Sequence, residues 1–90
     1  RVHGYFAMPV LHQGRLVARV DPKRERDGLH ARRVTMESTS RAAVEGTARA
    51  LREAATWAPT TPEVAGRVVL GEVVPSAAKP ALAAALRADG

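Results

Sequence analysis

The 90-residue chain contains no cysteine. That excludes a disulfide framework, a thiolate nucleophile and a Cys-ligated zinc site. Aromatic residues are scarce: Tyr5, Phe6 and Trp57 are the only three. Base stacking on a single strand needs aromatic platforms, so that mode of nucleic-acid binding has little support. No apolar run approaches the roughly 20 residues of a membrane span, so no membrane partner is expected. The first residues, Arg1-Val2-His3-Gly4, hold neither an initiator Met nor the apolar stretch of a signal peptide. The chain is therefore expected to be a fragment of a longer protein, and the absence of cysteine suits a reducing, cytoplasmic setting.

Motifs with chemical content are missing too. No GxSxG, Walker A or GxGxxG sequence occurs, and no cofactor is implied. The three histidines, His3, His12 and His30, lack the i,i+4 spacing and intervening Glu of an HExxH zinc site. Exposed positions on a sheet account for them better than a metal site assembled across strands. Asp21, Glu25 and Asp27 cluster, but among Arg and Lys, and solvated ion pairs explain them better than general acid–base chemistry. No catalytic residue and no metal ligand is assigned.

What is present is an ordinary globular composition in one small domain, with 46% apolar residues that are mostly Ala, Val and Leu. A chain this short hides only about 60–65% of its unfolded surface, so its core is thin. Tyr5–His12 reads as a strand that Pro9 confines to an edge or a bulge. Gln13-Gly14 is a tight turn, and Arg15–Asp21 is a second strand with Leu16, Ala18 and Val20 on its buried face. Residues 22–28, from Pro22 to Gly28, read as a polar hairpin loop. Leu29–Glu37 follows as a third strand. Ser40 is the simplest N-cap for a helix over Arg41–Trp57, whose stripe is Val44, Thr47, Ala48, Leu51, Ala54 and Ala55. Its outer face carries Arg41, Glu45, Arg49 and Glu53 at i,i+4 spacing. Pro59 ends that helix. Arg67–Val74 reads as a fourth strand. Pro75 and Ser76 cap a second helix over Ala77–Ala88, whose apolar face is Ala78, Leu82, Ala85 and Leu86. The expected fold is α+β: a three-stranded antiparallel meander, a helix, a fourth strand and a C-terminal helix, in the order β-β-β-α-β-α.

The net charge is +5, and its placement is uneven. Residues 1–33 hold eight basic and three acidic residues, whereas residues 34–90 hold six of each. Arg15, Arg19, Lys23, Arg24, Arg26, Arg32 and Arg33 fall on the second and third strands or their connection. Arginine forms forked hydrogen bonds to phosphate oxygens, so a charged hairpin beside a helix suits the phosphate backbone of duplex DNA. A solvated, solubility-giving hairpin has the same composition.

The segment Gly4–Lys23 carries a more specific signal. Tyr5 precedes Met8-Pro9-Val10-Leu11, a short turn follows, and the next strand ends Ala18-Arg19-Val20-Asp21-Pro22-Lys23. This resembles the C-terminal region of bacterial winged-helix DNA-binding proteins that include the crosslink-repair DNA glycosylases. The likeness extends over the whole chain, is strongest over residues 4–23 and fades after Trp57. It implies a parent DNA-repair protein with tandem winged-helix modules that hydrolyses the N-glycosidic bond of alkylated or crosslinked bases. The family's catalytic Gln-x-Gln or Gln-x-Asp signature is absent, since Gln13 is the only glutamine. The matching positions Arg19, Asp21 and Lys23 imply scaffold or DNA contact. The expected partners are duplex DNA and the remaining domains of the parent. A regulatory DNA-binding module, or an interface domain that never touches DNA, are the alternatives.

Overall fold

The computed structural model describes residues 8–57 and 66–88. Along the chain these form β1 (Met8–His12), β2 (Arg15–Glu25), β3 (Gly28–Met36), α1 (Arg41–Trp57), β4 (Val68–Val74), a 3-10 turn (Ser76–Ala78) and α2 (Lys79–Ala88). The fold is α+β, with four strands in one mixed sheet ordered β1-β2-β3-β4. β1, β2 and β3 pair antiparallel, and β4 adds parallel to β3. A parallel neighbour needs a long crossover, which α1 supplies. Tyr5 to Ala7, expected to open the first strand, lie outside the described residues.

The two hairpins are tighter than the sequence suggests. Gln13 and Gly14 have φ of 53° and 79°, so the first turn is a two-residue type I′ turn. At the second, pairing runs on through Lys23↔His30 to Glu25↔Gly28, leaving only Arg26 and Asp27 unpaired. The polar loop expected over residues 22–28 is therefore mostly strand. Pro22 is tolerated there because the register slips between Asp21 and Pro22, and proline is admitted at a bulge.

That slip leaves Arg32 as the extra residue of β3, and β4 follows the distortion with Gly71 opposite it. A Cβ on Gly71 would lie 2.5 Å from the Arg32 carbonyl oxygen, so only glycine fits. A second bulge, between Val10 and Leu11, leaves Val17 unpaired on β2. Val17 turns into the core as a result, whereas Leu16 stays half-buried, the reverse of the expected pattern.

One face of the sheet is covered. Val10, Ala18, Val20, Leu29, Ala31, Val34, Met36 and Val73 point into a single core with Ala43, Val44, Ala48, Leu51 and Ala55 of α1 and Leu82 of α2. Burial of this apolar surface, at roughly 25 cal/mol per Å², is what holds the layers together. Ser40 caps α1: its Oγ accepts from the Ala43 N–H at 3.1 Å. Ser76 caps nothing through its side chain. It is the first residue of the 3-10 turn, which begins after Pro75 without a side-chain cap.

Candidate nucleic-acid interface

The uncovered face of the sheet collects the residues between those of the core. The strand pairings lay them out in rows across the sheet: Pro9, Arg19, Thr35 and Val74; then Asp21, Arg33 and Glu72; then Lys23, His30 and Val69. Cross-strand neighbours on one face interact directly. The middle row alternates in charge, and carboxylates beside the other rows reach their basic residues. Arg33 Nε donates to Glu72 Oε1 at 3.0 Å. Lys23 lies 3.4 Å from Glu25 and Arg19 3.8 Å from Glu37. Asp21 meets Arg32 at 3.8 Å, rather than Arg19 or Lys23, its neighbours in sequence. Four of the seven basic residues expected to hold DNA thus face four carboxylates. Such exposed pairs are worth about 0–1 kcal/mol each, so their main effect is to cancel the local field.

The other three are dispersed. Arg15 sits opposite His12 beside the type I′ turn, at the far end of β2 from the second turn. Arg26 lies in that second turn. Arg24 pairs with the core residue Leu29 and so points to the helix side of the sheet. Its Nη2 donates to the Ala54 carbonyl at 3.0 Å, one of the last four carbonyls of α1, which have no partner within the helix. A guanidinium suits that position because the C-terminal end of a helix dipole is negative.

The two described histidines, His12 and His30, lie on different strands and do not converge. His12 lies over Gly46 of α1, where a Cβ would sit 3.2 Å from its Nδ1. Gly46, a costly residue in mid-helix, makes room for that ring. His30 donates from Nε2 to Asp27 Oδ1 at 2.7 Å and clasps the second turn. This bond, aided by the nearby Arg67 charge, holds the Asp27 carboxyl below its ordinary value of 3.8. His3 lies outside the described residues. Among the described residues no group of His, Asp and Glu could hold a metal, and no helix is long and apolar enough to cross a membrane.

Sequence reasoning missed a second basic locality. An open groove of about 700 Å³ runs along the last turns of α1, lined by Arg49, Arg52, Glu53, Thr56 and Gly66. Arg67 follows Gly66 directly. The alternating charges of α1 had suggested that Arg49 is neutralised at i,i+4 spacing. Only the Arg41–Glu45 pair closes along that row, at 3.0 Å. The available signal was Arg49 and Arg52 one turn apart on the helix.

Compared with known protein families, curated proteins and solved structures, the chain matches none.

Proposed function

We propose that this chain is the C-terminal, non-catalytic module of a DNA glycosylase-like repair protein acting on alkylated or crosslinked DNA. Its sheet and helices brace the parent, and its surface touches the phosphate backbone of duplex DNA. The observation that carries the reading is the division of charge. The open sheet face is balanced by its own carboxylates, yet the chain keeps a net charge of +5. The excess is thus displaced onto other surfaces, where it is free to attract a polyanion. The segment resembling the repair family also forms one unit, because Met8–Lys23 spans β1, the type I′ turn and most of β2. The active groups are assigned to the parent's other domains. Base excision needs a pocket for an extruded base, and the family's chemistry needs a glutamine pair. This chain has one glutamine, Gln13, exposed on a turn.

The test is fluorescence anisotropy of a labelled 20-base-pair duplex titrated with the chain. Binding is expected to be weak and indifferent to sequence. If about three phosphates are neutralised, the slope of log K against log salt is about −2.7. The chain alone is expected to release no alkylated base from such a duplex. Base release that disappears in Asp21→Asn would overturn the non-catalytic assignment.

A second reading is an interface domain that packs on the parent without touching DNA. It is favoured by Leu11, 64% exposed beside half-buried Leu16, and by Val74, 39% exposed, on the open sheet face. Absence of binding at low salt would establish it over the first.

A further inference from the structure

The strand register divides the basic residues of β2 between the two faces of the sheet, and Arg15 falls on the helix side, at a cavity. We propose that this cavity, between the type I′ turn and the start of α1, seats a phosphodiester group of a duplex backbone through Arg15, Gln13, His12 and Ser40. The proposal rests on the DNA-contacting reading above and locates its contact.

Three stretches of chain meet there. β1 ends at His12, the turn carries Gln13 and opens β2 at Arg15, and the residues around Ser40 lead into α1. Together they line a partly enclosed cavity of about 440 Å³. His12 and Arg15 are directly opposite in the antiparallel ladder and so share a face of the sheet. His12 lies over Gly46 of α1, which makes that face the helix side. Arg15 therefore stands apart from the charge-balanced face that holds Arg19 and Arg33.

Unengaged donors, rather than net charge, mark the cavity. Among the described residues, the Arg15 guanidinium, the Gln13 amide and the His12 ring enter no hydrogen bond or ion pair. Arg19, Lys23, Arg32 and Arg33, by contrast, each face a carboxylate. Ser40 Oγ accepts from the Ser38 hydroxyl at 3.3 Å and from the Ala43 N–H at 3.1 Å, which leaves its own proton to donate. The start of α1 is thus capped from within, and the site is made by side chains. Among the described lining residues Glu37 is the one carboxylate, and it lies 3.8 Å from Arg19. A set of donors calls for a ligand that only accepts. A phosphodiester has two unprotonated oxygens and no donor, and a guanidinium forks onto both. Gln and Ser side chains serve the same oxygens. No aromatic side chain is among the described lining residues, so a base has no platform to stack on and the phosphate is the part recognised. Gln13 and Arg15 are exposed, so a backbone passing outside reaches them without entering the cavity.

The experiment compares variants of the chain on the labelled 20-base-pair duplex at low salt, with circular dichroism recorded for each. Arg15→Gln is expected to weaken binding about fivefold and flatten the salt slope by about 0.9, the share of one phosphate. Gln13→Arg is expected to tighten binding about two- to threefold, a gain that misfolding cannot produce. Arg33→Gln with Glu72→Gln removes a pair from the open sheet face at constant net charge, and affinity is expected to stay within about twofold. His12 and His30 report on the two ends of the sheet in a proton–nitrogen correlation spectrum of the imidazole rings. The duplex is expected to shift the His12 ring and leave the His30 ring in place. Shifts at His30 alone, with unchanged affinity in Arg15→Gln and Gln13→Arg, overturn the cavity and leave the DNA-contacting reading intact. No binding by the unaltered chain overturns that reading, and the cavity's role with it. Inorganic phosphate that shifts the His12 ring and displaces the duplex at millimolar concentration, where chloride of equal ionic strength does not, would assign the cavity to a free anion and overturn the duplex proposal.

Discussion

Two buried side chains of α1 show how unequal the contributions of single residues are. Leu51 is fully buried at the centre of the core. Cutting it to Ala removes transfer energy and leaves a cavity in a thin core, so a loss of about 2–5 kcal/mol is expected in urea denaturation. An unchanged midpoint would contradict its place in the core. Thr47 is as buried, but its hydroxyl donates to the Ala43 carbonyl at 2.8 Å. Sequence spacing placed both on the apolar stripe, because periodicity reports which face is covered. It does not report which polar atom finds a partner within its own helix. Asp27 is a second case. Its folded pKa lies below the unfolded value of 3.8, so its contribution to stability is present above pH 3.8 and is lost as pH falls through the folded value. The acid limb of the unfolding curve is therefore expected to change shape below pH 3.8 in His30→Ala, where the hydrogen bond that does most to favour the Asp27 carboxylate is gone. Superimposable acid limbs for the two proteins would show that the clasp contributes nothing. Nothing in the spacing Asp27-Gly28-Leu29-His30 announced that clasp, which exists because Asp27 sits in the two-residue turn and His30 follows it by three positions on β3.

At the scale of elements, local chemistry was legible and register was not. Ser40 as N-cap, Gly14 at positive φ and the extent of α1 all follow from residues adjacent in sequence. The hairpin tip misled because Pro, Gly and charge together signify a loop, whereas the ladder continues beside them on alternating sides. The bulges at Val17 and Arg32 were hidden for the same reason: a register slip is a relation between two strands. It also split the expected basic patch, since each residue's face depends on the register of its strand. The first turn yields a direct prediction. Gln13 has φ of 53°, a region where Asn is several-fold enriched, and Asn-Gly is the preferred type I′ pair. Gln13→Asn is expected to raise stability by a few tenths to about 1 kcal/mol, read as a higher melting temperature. A lower one would mean that the Gln13 side chain contributes more than the turn does.

For the molecule as a whole, the α+β class could be read from hydrophobic periods, because period two gives way to period 3.6 at Ser40. The place of β4 could not, since its partner is chosen by tertiary packing. That parallel partner has a kinetic consequence. β1, β2 and β3 are joined by two-residue turns, whereas β4 can pair with β3 only after the chain between Met36 and Val68 has closed. Closing that span costs chain entropy before any pairing compensates it. The meander and α1 are accordingly assigned to the folding nucleus, and β4 with α2 to the downhill side of the barrier. Val20→Ala is expected to slow refolding, while Val73→Ala mainly accelerates unfolding, as the two arms of a chevron plot would separate. Val73→Ala that slowed refolding as much as Val20→Ala would place β4 inside the nucleus. With β4 outside it, the strand that completes the sheet is also the first to leave, and the Gly66-Arg67 side of the groove loses its anchorage at that step.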